Sequence, residues 1–386
     1  MSNTTRIKSL EALRALAFMG VMLSHTGIFG LGPLGARSVS IFLVLSGFVS
    51  VVSHYQKEEL KTQLKDVIRY AISKIKKIYL LYVLTTLSLD VFKFVGDITE
   101  PIKKALVQLI ANLLLIQEWL PYEERSINLP AWFLCPLFLS YFIFPFVINK
   151  MKEKYTKKQA LFSIIVLYIV QVIICLISKN IPHNEYKENM LLVYNVSDWI
   201  IYYHPITRVI EIIIGYNLGY LYINRTKANI DKATLKEASI LLLILLSYVI
   251  AVLTDIKTEY LQRIPTVNIN NWWRQTIIYT PTTCLLIYIF AFEEGKISKI
   301  LVNKVTLYLA KISPYGFLIH WVVYVYLEIV IYRLINQEYI YLEFIYYYGP
   351  YIKITLGIIL TIICCKIWMQ VNQKFVKMKN TIINKS

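Results

Sequence analysis

The sequence predicts an all-α fold, a polytopic membrane helix bundle, and three observations lead there. Of its 386 residues, 57% are hydrophobic and only 17% charged, whereas soluble domains run about 45–50% apolar and about 25% charged. Mean hydropathy is +0.53. Apolar runs long enough to cross a bilayer alternate with short basic runs, the pattern of spans joined by retained loops. The same numbers exclude an ordinary soluble globule. With Gly 13 and Pro 12, they also exclude a disordered or fibrous chain.

Spanning helices need about 20 mostly apolar residues. Such segments fall near 9–29, 38–54, 74–95, 104–120, 129–149, 159–178, 205–223, 236–254, 274–292, 306–335 and 349–370. Basic residues concentrate in 54–77, in 150–158, in 225–236 and in the tail from Lys374 to Lys385. The positive-inside rule makes these regions cytoplasmic, together with Arg6 and Lys8 at the start. An even number of crossings must then separate 54–77 from 150–158, so one of the three segments between them does not cross. The segment 104–120 carries Lys104, Gln108, Asn112, Gln117 and Glu118 and is the expected re-entrant or interfacial piece. About ten crossings remain, with both termini cytoplasmic. The loops at 121–128, 179–204, 255–273 and 336–348 are expected outside, the second holding His183, Asp198, Trp199 and His204. Residues 56–77 place Leu60, Leu64, Val67, Ile68, Ala71 and Ile75 on one helical face, and an amphipathic helix on the inner leaflet is expected there.

The net charge of +17 would suggest nucleic acid in a soluble protein. Here the lysines and arginines lie in loops, so the expected partner is the lipid bilayer and not nucleic acid. The 30 Tyr suit the lipid–water boundary. Cys135, Cys175, Cys284, Cys364 and Cys365 lie within apolar runs without metal-ligand spacing and read as small buried hydrophobes. No metal site, cleavable leader or internal repeat is expected. One membrane domain is expected over 1–386, with short cytoplasmic tails at both ends and no appended soluble domain.

Ionisable groups inside spans are costly and mark function. Arg14 and His25 share the first span. Eleven residues of helix make about three turns and rise about 16–17 Å, which puts both on one face, Arg14 toward the cytoplasm. A guanidinium binds phosphate by paired hydrogen bonds, and an imidazole serves as a base near neutral pH. The plain alternative is a snorkelling Arg and a hydrogen-bonded His at a helix end.

After His25 comes a Gly-containing turn and then Ile41-Phe42-Leu43-Val44-Leu45-Ser46-Gly47-Phe48. This pair of segments resembles the start of bacterial membrane acyltransferase family 3, integral-membrane O-acyltransferases of surface glycans. The family's basic element before the third helix is similar to Lys74-Ile75-Lys76-Lys77, with lysine for both arginines. Its Trp segment resembles Pro130-Ala131-Trp132-Phe133-Leu134, but Cys135 and Pro136 stand near where many members have a Glu. Its Arg-x-x-Glu element resembles Arg208-Val209-Ile210-Glu211, and its late Ser-Tyr-His element resembles Ser313-Pro314-Tyr315-Gly316-Phe317-Leu318-Ile319-His320. The likeness runs over about residues 9–325.

The resemblance implies transfer of an acyl group, most often acetyl, from cytoplasmic acyl-CoA to a hydroxyl of a cell-surface or exported glycan. It implies a bacterial cytoplasmic (inner) membrane protein. His25 and Arg14 are then the catalytic candidates. Arg14, Lys74 and Lys77 would bind the donor, and Trp132, Arg208, Glu211, Ser313, Tyr315 and His320 would serve the acceptor or support the site. Acyl-CoA, acetyl-CoA by expectation, is a co-substrate, and no tightly bound cofactor is expected. The acceptor would be a glycan or lipid-linked saccharide, with His25 either a base or a carrier of the acyl group. Three readings compete: a transporter or flippase of a glycan or lipid-linked intermediate, a non-catalytic channel or sensor, and an acyltransferase acting on a small molecule. Each site residue also has a structural alternative, such as mutual neutralisation for Arg208 and Glu211 or an interfacial anchor for Trp132.

Overall fold

A computed structural model describes residues 6–28, 30–96, 102–119, 126–179, 196, 199–225, 232–261, 274–335 and 338–383. Helices α1 (Lys8–Ser24), α2 (Gly32–His54), α3 (Leu64–Gly96), α4 (Ile102–Leu113), α5 (Leu134–Glu153) and α6 (Lys157–Lys179) come first. They are followed by α7 (Pro205–Ile223), α8 (Ala233–Leu261), α9 (Thr280–Phe290), α10 (Lys296–Leu301), α11 (Lys304–Ile335), α12 (Glu338–Ile352) and α13 (Ile358–Ile383). No strand occurs among the described residues. Seven runs are long and apolar enough to cross a membrane by themselves.

The apolar surface identifies the solvent. Leu161, Phe162, Ile165 and Ile169 on α6 and Leu242, Leu245, Leu246 and Leu253 on α8 are exposed. In water such a belt would be untenable; against hydrocarbon it needs no cover.

At the centre are α2 and α7, which pack more extensively against each other than any other pair. The reason is glycine. A Cβ on Gly47 would collide with the backbone oxygen of Ile212, and one on Gly215 with that of Val44. Small residues let membrane helices approach closely enough for dispersion to hold them. Around this pair lie α1 and α11 on one side and α5, α6 and α9 on others.

The 104–120 expectation agrees with α4, whose 12 residues span about 18 Å, too short for a bilayer of about 30 Å. It turns back against α3: the Tyr79 and Tyr82 hydroxyls each donate at 2.7 Å to the carbonyls of Leu113 and Asn112. These bonds satisfy helix-end carbonyls that lipid would leave bare.

Two expectations need correction. No separate amphipathic helix forms over 56–77. Residues 57–63 are irregular, and the helix starting at Leu64 is continuous with the third span. Asn149 on α5 clamps that irregular piece at both the N–H and the carbonyl of Leu60, while Lys152 holds the carbonyls of Lys57 and Glu58. Val67, Ala71 and Ile75 are buried, but Leu64 is exposed. Second, 338–348 is not a loop but helix, joined to α13 through a wide turn at Lys353–Gly357. The expected loops at 121–128, 179–204 and 255–273 lie largely outside the described residues, His183 and Asp198 with them.

Replacing Gly47 or Gly215 by Leu is expected to abolish recovery of monodisperse, protease-resistant protein from membranes. Gly32→Ala, where no atom comes near an added Cβ, is expected to leave recovery unchanged.

Candidate active site

One end of α1 closes on a glycine turn. Gly27 and Gly30 adopt φ of 84° and 81°, open only to glycine at little cost. They stop the helix at Ser24 and leave His25 as its cap, with its N–H on the Met22 carbonyl. Gly35 of α2 faces Ser24 so closely that a Cβ would meet the serine hydroxyl, so the two helices form a tight hairpin with His25 at its tip.

His320 of α11 comes to that tip. The two imidazole centroids are 5.4 Å apart, and Trp321 lies edge-on to His25 at 5.3 Å. His320 Nδ1 bonds the Gly316 carbonyl at 3.0 Å. A carbonyl only accepts, so Nδ1 carries the hydrogen and Nε2 presents a lone pair. That Nε2 is buried and without a hydrogen bond among the described residues. Polar atoms left bare in a core mark a place where something else binds or reacts.

Beside the pair is a cavity of about 190 Å³, lined by Ser24, His25, Trp132, Tyr202, Tyr203 and Phe317 among others. Trp132 is set by a 3-10 turn, Leu129–Phe133, that Pro130 opens. Its indole packs on Tyr202 at 4.9 Å and Tyr203 at 5.3 Å. The Arg208 guanidinium lies 5.4 Å from the Tyr202 ring and 5.8 Å from the Trp132 ring. Arg208 pairs with Glu211 at 3.0 Å, one turn on, both fully buried. Gln171 and Thr280 donate to the same Glu211 oxygen at 3.4 and 3.3 Å. The fold therefore brings His25, His320, Trp132, Arg208 and Glu211 to one continuous region. Ser313 stays on its own helix, bonded to the Ala310 carbonyl, and Tyr315 packs into the apolar core; neither lines the cavity.

The other end of the bundle is basic. Arg14 makes two 3.0 Å bonds to both oxygens of Glu11, a half-buried pair that an anion could open. Lys74 bonds His54 Nε2 at 3.1 Å and lies 4.8 Å over the Tyr70 ring. Lys77 is exposed. Neither lysine contacts Arg14, so the three share an end of the bundle without forming one cluster. His54, Asn149 and Lys152 were not distinguishable in sequence, because their roles come from contacts across helices. Arg37 was also missed. Buried on α2, it reaches the Thr282 and Ser247 hydroxyls and lies 4.1 Å over the Tyr279 ring. Position 37 precedes the apolar run on α2, where an arginine reads as a boundary charge.

A family model described as an acyltransferase domain matches residues 7–367. The acyltransferase MdmB of Streptomyces mycarofaciens is 32% identical over 156 residues, which is 36% of this chain and 38% of that protein. The match thus spans well under half the relative's length. No solved structure matches the chain.

Removing one partner of a buried ion pair costs about 3–5 kcal/mol, because the other charge is stranded, whereas apolar replacement of both is often tolerated. Glu211→Ala is therefore expected to lower the thermal unfolding midpoint of detergent-purified protein sharply, and Arg208→Met with Glu211→Leu to recover most of the loss.

Proposed function

The chain belongs to acyltransferase family 3, and from that premise we propose that it moves an acyl group, acetyl by preference, from cytoplasmic acyl-CoA to a hydroxyl of a cell-surface or exported glycan. The observation that supports this most is that His25 lines an aromatic-walled cavity with His320 packed against its ring, with cationic side chains at the opposite end of α1. Arg14 and His25 are eleven residues apart, so about 16–17 Å of helix separates a phosphate-binding end from a proton-accepting end.

The basic end, with Arg14, Lys74 and Lys77, is cytoplasmic in this reading. CoA's phosphates pair there with charge-assisted hydrogen bonds, Arg14 exchanging Glu11 for phosphate. The pantetheine arm carries the thioester inward along α1. At the cavity, Trp132, Tyr202 and Tyr203 offer flat apolar faces against which a sugar ring packs, and Arg208 stands behind them. As a base, His25 takes the proton of the acceptor hydroxyl while that oxygen attacks the thioester carbonyl. A C–O bond forms, the C–S bond breaks, and the departing sulfur takes up a proton to leave as CoA thiol. In the relay version, His25 attacks first, releases CoA, and passes the acyl group on. A burst of CoA release before acceptor is added distinguishes the relay.

A transporter of a glycan intermediate also needs buried charges, but it leaves the thioester intact. Native membranes holding the protein, which supply the acceptor, are expected to release more free CoA from acetyl-CoA than the same membranes without it, and equal release would reject acyl transfer. Arg14→Ala is expected to raise the Michaelis constant for acetyl-CoA or stop turnover, and Arg14→Lys to rescue in part, since paired geometry is lost. Lys74→Ala with Lys77→Ala should act more mildly, both being nearer solvent. Unchanged donor affinity in all of these variants would remove the donor-site assignment.

A further inference from the structure

The last helical run reaches the histidine pair at three points along one face. The Pro350 ring lies beside Gly27, two residues after His25. Lys353 ion-pairs with Glu328 of α11 at 2.5 Å, and its Nζ stands 5.9 Å from the Tyr324 ring. Gly357 lets that same ring close on the backbone: a Cβ there would come within 2.6 Å of it.

Tyr324 connects these contacts to the site. Its hydroxyl donates to the Met22 carbonyl at 3.2 Å, at the end of α1 three residues before His25. Its ring stands perpendicular to the His320 ring at 5.7 Å. One side chain therefore touches both elements that carry the imidazoles.

Between Lys353 and Gly357 the helix widens to a π-turn, a departure that concentrates at functional sites. Lysine and glutamate are costly within a span, and apolar residues there would cross with less penalty. A pair kept at this place, on a widened turn and against the tyrosine that braces both histidines, has a use beyond crossing.

We propose that Lys353 is a positioning residue for acyl transfer. Held by Glu328, it fixes the wide turn so that Gly357 bears on Tyr324, and Tyr324 sets the separation of His25 and His320. The proposal rests on the acyl-transfer reading given above. It does not place Lys353 on the substrate.

The test is steady-state kinetics of CoA release from acetyl-CoA by the full chain in native membranes, which supply the acceptor, measured against membranes without the protein. Lys353→Met and Glu328→Gln are expected to lower kcat by about 10²-fold, the usual result of a displacement near 1 Å, with the acetyl-CoA Michaelis constant unchanged. Lys353→Arg should stay near wild type. The reversed pair, Lys353→Glu with Glu328→Lys, should recover most of kcat. Gly357→Ala, which keeps both charges and pushes on Tyr324, should reproduce the kcat loss. Wild-type kcat in Lys353→Met, or no recovery in the reversed pair, overturns the proposal. If Lys353→Met does not fold, Gly357→Ala decides: loss of kcat alone supports the lever, and wild-type kcat overturns it. Failure of the wild type to release CoA removes the functional reading and this proposal together. An active wild type with unaffected variants removes the positioning role alone.

Discussion

The approach of α2 to α7 through Gly47 and Gly215 is the contact on which the rest of the site depends. Backbone against backbone leaves no room for a side chain at either glycine, and hydrocarbon offers no hydrophobic force to substitute for that packing. α2 supplies part of the cavity wall directly, and α7 stands behind the aromatic part of it. α2 brings Gly35, Ala36 and Val39, and through Gly35 it holds Ser24 and the His25 tip of α1. α7 brings Arg208 and Glu211 and follows directly on Tyr202 and Tyr203. Spread that contact and the guanidinium side of the cavity departs from the imidazole side.

A second constraint is the satisfaction of charge away from water. Arg208 lies within one ion pair and two aromatic faces, and Arg37 within two hydroxyls and a ring. Lys353 lies against a carboxylate and a tyrosine. Arg208 and Arg37 are buried charges that the fold must hold because lipid will not, whereas the Lys353–Glu328 pair is only half-buried. They cluster on the cavity side of the bundle, away from the lysine-rich end; in the proposed function the lysine-rich end takes the donor's phosphates and the cavity side the reacting groups. Acyl transfer across a membrane needs such a separation, because donor and acceptor meet from opposite sides.

Much of this was legible in the sequence. Apolar length and basic loops located the crossings, and the parity of those loops singled out 104–120, whose helix proves too short to cross. Arg14 and His25 were visible because a charge within a span is conspicuous. The meeting of His25 with His320 was not, since no periodicity in either segment reports a distance between helices 295 residues apart. Lys353 was hidden for a different reason: it lay within the expected span 349–370, and nothing in that segment reports its contact with Glu328 on another helix. The irregular 57–63 was misread as helix because its lysines and leucine keep a helical period. Asn149 on another helix takes the backbone bonds of Leu60 that a helix would have used. Ser313 and Tyr315 followed a likeness of motif; Ser313 shares the face of His320 two turns away and bonds its own helix, and Tyr315 packs against the apolar core.

The most direct measurement is CoA release from acetyl-CoA by sealed native-membrane vesicles of known orientation, which carry the acceptor, with wild-type protein and with His25→Ala at matched amounts of folded protein. Vesicles exposing the basic end are expected to release CoA, vesicles of opposite orientation to do so only once permeabilised, and His25→Ala to be slower by about 10²–10⁴-fold in both. Wild-type rates in His25→Ala, or equal release by intact vesicles of either orientation, would contradict transfer at His25 from a donor bound at the basic end.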